Sequence, residues 1–137
     1  MENMTKVIVF GTFDILHEGH INFFKQAKEL GDFLAVVIGR DDNVEKIKGN
    51  KPLNNERQRM VAVYEVPEVN LSLLGEKEDP YKVIEEQKPD VICIGYDQDS
   101  YVDGLEEEMK KRGINAKIVK LKAYMPEKYK SSKLKGF

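Results

Sequence analysis

Two histidines, His17 and His20, lie three residues apart just after a short apolar segment and a glycine. The residues after them, Ile21 to Lys28, continue a helical period, so both imidazoles can share one face of the first helical turn. Free backbone N–H groups and the positive end of the helix dipole meet at such a turn, and they bind anions such as phosphate. The spacing therefore predicts a phosphate site at a helix N-terminus.

A second group of charged residues, Lys46-Ile47-Lys48-Gly49-Asn50-Lys51, is basic and is followed by Arg57. Bound phosphate groups carry negative charge that a helix N-terminus neutralises only in part, so nearby cations would strengthen the site. The candidate cations are Lys46, Lys48 and Lys51, with Arg57 and Arg59 after them. The alternative is a lysine-rich loop that only faces solvent.

The elements that position these residues alternate between strand and helix, which favours right-handed βαβ crossovers and a parallel sheet. We predict a single doubly wound α/β domain spanning residues 1–137. Predicted strands are at about 6–10, 33–38, 69–74, 91–94 and 117–121, the last at a sheet edge, and predicted helices run from the histidines to about 30 and at 56–65, 80–87 and 105–112. Residues 43–55 are expected to form at best a short helix before a loop.

The composition of the chain argues against several kinds of binding site. The chain has 137 residues, 34% of them charged, and a net charge of -2, which indicates neither a nucleic-acid footprint nor a polybasic membrane surface. The N-terminus lacks an apolar signal region, so we expect a cytoplasmic protein. A zinc site is disfavoured because only one cysteine, Cys93, and two histidines are present. Cys93 lies in an apolar run and is expected to be a buried small hydrophobe.

Residues 11–20, Gly-Thr-Phe-Asp-Ile-Leu-His-Glu-Gly-His, resemble the GTFDxxHxGH signature of the cytidylyltransferase-like nucleotidyltransferases. These enzymes transfer a nucleotide monophosphate from a nucleoside triphosphate to a phosphate ester and release pyrophosphate. The resemblance implies direct in-line attack on the α-phosphorus, with Mg²⁺ or a similar ion bridging phosphates, and a homodimer. It makes His17, His20 and Lys48 the expected catalytic residues and adds Gly11, Thr12, Phe13 and Arg57 to the nucleotide site. Lys48 and Arg57 match the family's phosphate-binding lysine and arginine, which bind a triphosphate and the departing pyrophosphate, with Lys46, Lys51 and Arg59 as rivals. Asp14 would either fix the loop or help to hold the metal.

Two later segments extend the resemblance. Gly95-Tyr96-Asp97-Gln98 resembles the family's segment beside the base and ribose, which assigns Asp97 to nucleotide binding, although it could simply cap a helix. Ser131 and Ser132 resemble the family's Ser-Thr-Thr-type phosphate segment, but two serines could equally be a plain helix cap.

The substrate expectation rests on the same segments. Gln98 stands where glycerol-3-phosphate cytidylyltransferases have tryptophan, and the pattern is similar to the archaeal FAD synthases of the family, which implies ATP and FMN as substrates. A broad apolar surface for FMN could come from residues in the carboxyl-terminal segments, namely Tyr96, Tyr101, Tyr124, Met125 and Tyr129. The alternatives are CTP with glycerol-3-phosphate or a sugar phosphate, and a nucleotide-binding module without turnover.

Overall fold

Strands and helices alternate along the chain in a computed structural model that describes residues 4–76, 79, 81–95 and 99–121. The elements in chain order are β1 (Lys6–Gly11), α1 (Glu18–Lys28), β2 (Phe33–Ile38), α2 (Asp41–Lys48), α3 (Glu56–Tyr64), β3 (Leu71–Leu74), α4 (Lys82–Gln87), β4 (Val91–Ile94), α5 (Asp99–Arg112) and β5 (Lys117–Lys120).

The five strands form one parallel sheet in the order β3-β2-β1-β4-β5, which confirms the predicted doubly wound α/β fold. Strand β1 lies at the centre, and the chain winds outward from it first to β2 and β3 and later to β4 and β5. The point where this winding reverses, between β1 and β4, leaves a crevice at the carboxyl ends of the strands, where open α/β sheets bind ligands. Strand β5 is at an edge, as predicted.

Each face of the sheet is buried against helices. Val7 and Val9 of β1 point into a cluster with Phe24 and Ala27 of α1 and Val63 of α3. The residue between them, Ile8, points to the other face.

On that second face, Ile8 packs with Val83 and Ile84 of α4 and with Leu105 and Met109 of α5. Burial on both faces explains why the inner strands are continuous apolar runs rather than alternating patterns. Cys93, in β4, is buried as predicted, and burial raises the pKa of its thiol to about 12, which disfavours a reactive thiolate.

Helix bounds differ from the predictions where tertiary contacts outweigh local preference. Helix α5 begins at Asp99, six residues earlier than predicted, although Gly104 lies inside it and glycine disfavours helix. A Cβ at Gly104 would come within 2.8 Å of the Tyr81 hydroxyl, so glycine lets this helix pack closely. Strand β3 begins two residues later than predicted, at Leu71. Helix α2 has eight residues and is capped by Gly49, whose φ of 84° is a left-handed conformation that suits glycine.

Candidate active site

The loop after β1 is anchored by Phe13. Its backbone is left-handed, with φ 51°, and its ring is buried against Phe24, with ring centroids 5.1 Å apart. The ring folds back over Gly11, where a Cβ would lie 2.5 Å from the Phe13 ring. Glycine at position 11 is therefore required by the packing of this loop. The nucleotide-binding role predicted for Phe13 stays a prediction and falls to its backbone, because the ring is part of the core.

His17 is the N-cap residue of α1. Its Nδ1 accepts a hydrogen bond of 3.0 Å from the backbone N–H of Gly19. An accepting Nδ1 carries no proton, so the neutral ring carries its proton on Nε2 and can donate it to an oxygen atom. Burial lowers the pKa of His17 from its ordinary value of 6.5, which favours the same neutral form.

Gly19 leaves room for the ring of His17. A Cβ at this position would lie 2.7 Å from Cε1 of His17, so a larger residue would displace the imidazole. The ring of His20 stacks on that of His17 with centroids 4.0 Å apart and an interplanar angle of 29°. The edge-to-face contact between His20 and Phe13, at 5.4 Å, connects this pair to the loop anchor. The predicted juxtaposition of the two imidazoles at one helix start is confirmed.

Asp14 joins the loop after β1 to the segment before α3. Its carboxylate accepts hydrogen bonds from the backbone N–H groups of Leu53, at 2.7 Å, and Asn54, at 2.8 Å. The side-chain amide of Asn54 donates back to the Asp14 carbonyl oxygen at 2.7 Å. The sequence left two roles open for Asp14, and these contacts show that it fixes the loop.

Arg59, a rival phosphate-binding cation in the sequence, supports the loop after β1, a role that the sequence did not predict. It lies on the buried face of α3, with 1% of the residue exposed. Its guanidinium donates to the Thr12 carbonyl oxygen at 2.9 Å, to the Asn54 carbonyl oxygen at 3.1 Å and to the Asp41 carboxylate at 2.6 Å. One buried cation thus joins three segments around the loop. Arginine suits this place because its planar fork can donate in several directions at once.

A second set of contacts joins the starts of α2 and α3. The Glu56 carboxylate accepts a hydrogen bond of 2.8 Å from the Asp41 backbone N–H, and the Glu56 N–H donates to the Asp41 carboxylate at 3.2 Å. Arg40 pairs with Glu56 at 3.2 Å. The Asp41 N–H and then Arg40 lower the pKa of Glu56, so the carboxylate stays ionised. These contacts fix the Asp41 carboxylate in a position to accept the hydrogen bond from Arg59.

The predicted phosphate-binding cations lie on two different elements. Lys48 is the last residue of α2, directly before the left-handed Gly49. Arg57 is exposed on α3 and lines a shallow groove on the outer surface of that helix. The roles predicted for Lys48 and Arg57 towards a triphosphate stay predictions. Asp97, Ser131 and Ser132 lie outside the described residues, as do the side chains expected to face FMN.

The described part of the chain offers no group of three or more His, Cys, Asp or Glu side chains that could hold a metal ion. Among the same residues, no helix is long and apolar enough to cross a membrane.

Comparison with known proteins shows the family to which the chain belongs. The sequence model of the cytidylyltransferase-like family matches residues 8–137, which include both histidines and the basic residues at 46–51. The chain belongs to the cytidylyltransferase-like family. It is a nucleotidyltransferase, and the family assignment made from residues 11–20 is confirmed.

Curated relatives in this family are similar to the chain over most of their own length. The chain is 46% identical to the FAD synthase of Aciduliprofundum boonei over 88% of this chain and 80% of the relative. It is 44% identical to the FAD synthase of Archaeoglobus profundus over 94% of this chain and 82% of the relative.

Solved structures show the same fold. A Thermoplasma volcanium structure described as a lipopolysaccharide core biosynthesis protein has a TM-score of 0.83 and 39% identity, covering 89% of this chain and 99% of the other. A pantoate-beta-alanine ligase from Francisella tularensis, at 18% identity and a TM-score of 0.63, covers 88% of this chain and 60% of that one, and shares the fold alone.

Proposed function

We propose that this nucleotidyltransferase is an FAD synthase, which transfers AMP from ATP to FMN and releases pyrophosphate. The observation that carries the proposal is the 46% identity to a curated FAD synthase over 88% of the chain. The site supports it, because a neutral His17 at a helix N-terminus, stacked on His20, suits a transferring phosphate.

The reaction needs no covalent enzyme intermediate. A phosphate oxygen of FMN attacks the α-phosphorus of ATP, while the bond from that phosphorus to the oxygen bridging to the β-phosphorus breaks. Pyrophosphate leaves with the electron pair of that bond. The FMN phosphate is already ionised at neutral pH, so neither histidine has to remove a proton.

The side chains and backbone groups of the site would stabilise the charge on the phosphates and position the substrates. The Nε2–H group of His17 can donate a hydrogen bond that strengthens as negative charge builds on the phosphate oxygens. The ring of His20 stacks on that of His17. Gly11 and Thr12 remain predicted nucleotide contacts, and Lys48 would neutralise the departing pyrophosphate. Arg57 remains a predicted triphosphate contact, and Asp97, Ser131 and Ser132 remain predicted contacts to the base, ribose and phosphates.

The family implies Mg²⁺. The described residues hold no cluster of three metal-ligating side chains, and the Asp14 carboxylate accepts two backbone N–H groups. This chemistry fits Mg²⁺ held mainly by substrate phosphates and water, which is its usual mode in phosphoryl-transfer sites. When bound, the ion would neutralise charge on the phosphates. We also propose the homodimer that the family resemblance implied.

The deciding experiment supplies purified protein and Mg²⁺ with ATP or CTP, each combined with FMN, glycerol-3-phosphate or a sugar 1-phosphate. Pyrophosphate and product mass are followed. FAD formed from ATP and FMN is the expected result. Turnover of CTP with glycerol-3-phosphate or a sugar phosphate, and none of ATP with FMN, would overturn the substrate assignment. No turnover of any pair would favour a nucleotide-binding module.

A further inference from the structure

Helix α2 makes few apolar contacts with the rest of the protein. Of its described side chains only Val44 is buried, and Val44 belongs to neither of the two hydrophobic core clusters. The side chain of the N-cap residue, Arg40, makes no capping hydrogen bond to the helix. Because packing of an apolar face is what usually holds a helix in place, the direction of α2 depends on the polar contacts at its start.

Glu56 caps α2 from a different helix. Its carboxylate accepts a hydrogen bond of 2.8 Å from the N–H of Asp41, the first residue of α2. The Asp41 carboxylate accepts one of 3.2 Å from the N–H of Glu56, the first residue of α3. Each carboxylate thus caps the helix that the other residue begins, and each places negative charge at a helix N-terminus, where it is stabilising.

Two residues of α3 hold Asp41, and each connects it to a different part of the site. Arg59 donates to Oδ1 of the Asp41 carboxylate, and the Glu56 N–H donates to Oδ2. Arg59 also contacts the loop after β1 through the Thr12 carbonyl oxygen, whereas Glu56 contacts the start of α2. The loop that leads to the histidines and the helix that ends at Lys48 are therefore fixed to the same turn of α3.

We propose that Glu56 is a positioning residue for Lys48 and acts on it through α2. The inference rests on the proposed function, in which Lys48 neutralises the departing pyrophosphate. Helix α2 has eight residues and measures about 10 Å from its first Cα atom to its last, so a tilt of about 10° at Asp41 would move the backbone of Lys48 by about 2 Å. A misplacement of about 1 Å can already lower turnover by about 100-fold.

A double-mutant cycle on FAD formation tests the path through Lys48. Glu56→Ala alone is expected to lower kcat/KM for ATP by at least about 10-fold. Added to Lys48→Ala, the same change should cost less than about 3-fold, because the lysine that Glu56 positions is then absent. Glu56→Gln keeps an oxygen that can accept from the Asp41 N–H, and it should retain most of the wild-type kcat/KM. A merely structural role would give equal losses in both backgrounds.

Glu108→Ala is the matched control. Glu108 is also a half-buried glutamate paired with an arginine, but its partner is Arg112 of α5, so its loss should leave kcat/KM for ATP unchanged with or without Lys48. Circular dichroism and Tm check the folding of each variant. If Glu56→Ala does not fold, Glu56→Asp, whose carboxylate is one carbon shorter, takes its place in the cycle.

Three outcomes would overturn the proposal: an equal loss from Glu56→Ala with and without Lys48, an unchanged kcat/KM in folded Glu56→Ala, or an unchanged kcat/KM in Lys48→Ala. Failure of the proposed function gives a different result, because the wild type then forms no FAD. In that case the same cycle, measured on the Kd for ATP and for CTP by calorimetry, decides whether Glu56 acts through Lys48 by the same criteria.

Discussion

The guanidinium of Arg59 donates a hydrogen bond to the carbonyl oxygen of Thr12 at 2.9 Å, across 47 residues of chain. Arg59 is almost fully buried, and its other two partners are the Asn54 carbonyl oxygen and the Asp41 carboxylate. Thr12 lies between Gly11 and Phe13, in the loop that leads to both histidines. The position of the loop after β1 therefore depends on a side chain from α3.

Replacing Arg59 with alanine is expected to cost about 2 to 3 kcal/mol of unfolding free energy, since it leaves Asp41 and two carbonyl oxygens without their donor. The kcat of the folded fraction should also fall by roughly 10-fold or more, as the loop loses its support. Urea unfolding and steady-state turnover measure the two effects. The matched control is Arg112→Ala, an arginine that pairs with Asp79, Glu85 and Glu108 elsewhere, and it should lower stability without lowering kcat. An equal loss of kcat in both variants would contradict the positioning role.

Replacing His17 or His20 with alanine is expected to lower kcat by about 10²- to 10³-fold, the loss typical of one preorganised transition-state donor. His17 also caps α1, so its alanine variant mixes two effects. His17→Asn separates them, because asparagine is a favourable N-cap and has no imidazole. It should retain the stability of α1 and lose turnover. Near-wild-type turnover in soluble His17→Asn or His20→Ala would exclude the catalytic assignment.

Gly19→Ala tests the placement of the His17 ring. The Gly19 backbone is not left-handed, and alanine is a better helix former than glycine, so the helix itself should tolerate the change. The new Cβ would nevertheless lie 2.7 Å from the His17 ring and displace it. We expect a kcat at least about 10-fold lower, with little change in Tm. Gly75→Ala is the control, as a Cβ there meets its nearest neighbour at an ordinary 3.4 Å.

Stability should depend on pH through His17. Burial lowers its folded-state pKa below 6.5, so between the two pKa values the unfolded chain binds more protons than the native one. The contribution is present above pH 6.5 and is lost as the pH falls through the folded-state pKa. Urea unfolding between pH 8 and pH 5 should show a smaller decline in His17→Asn than in the wild type. An identical decline in both proteins would show that His17 does not carry this dependence.

Lys48 should act on the triphosphate. Lys48→Ala is expected to raise the KM for ATP and to lower kcat as well if the contact tightens on leaving pyrophosphate. Lys46→Ala, in the same helix and exposed, should do much less. A larger effect at Lys46 than at Lys48 would mean that the family alignment of this loop is shifted.

Arg57 has a predicted role that the KM for ATP tests. The sequence predicts a triphosphate contact, and Arg57 is exposed on the outer surface of α3. Arg57→Ala is expected to raise the KM for ATP. An unchanged KM would contradict the triphosphate contact.

Much of the fold could be predicted because its signals are local. Buried parallel strands are short apolar runs, and β2 and β4 have the predicted bounds. The early start of α5 could not be predicted, since Gly104 looks unfavourable in a helix until Tyr81 is seen packed against it. The histidine pair could be predicted because a helix start needs only local spacing. The ring of Phe13 over Gly11 could not, because it needs the left-handed backbone of this particular loop.

The order of residues is enough to predict the strand and helix order, the paired histidines after β1 and, through residues 11–20, the family. Which arginine of α3 supports the loop depends on tertiary packing. The helix, Glu-Arg-Gln-Arg-Met-Val-Ala-Val-Tyr, has apolar residues on more than one side, so its pattern does not say which side faces the sheet. Packing turned Val63 and Arg59 inward and left Val61 and Arg57 outside, because two residues along a helix differ by about 200° in direction.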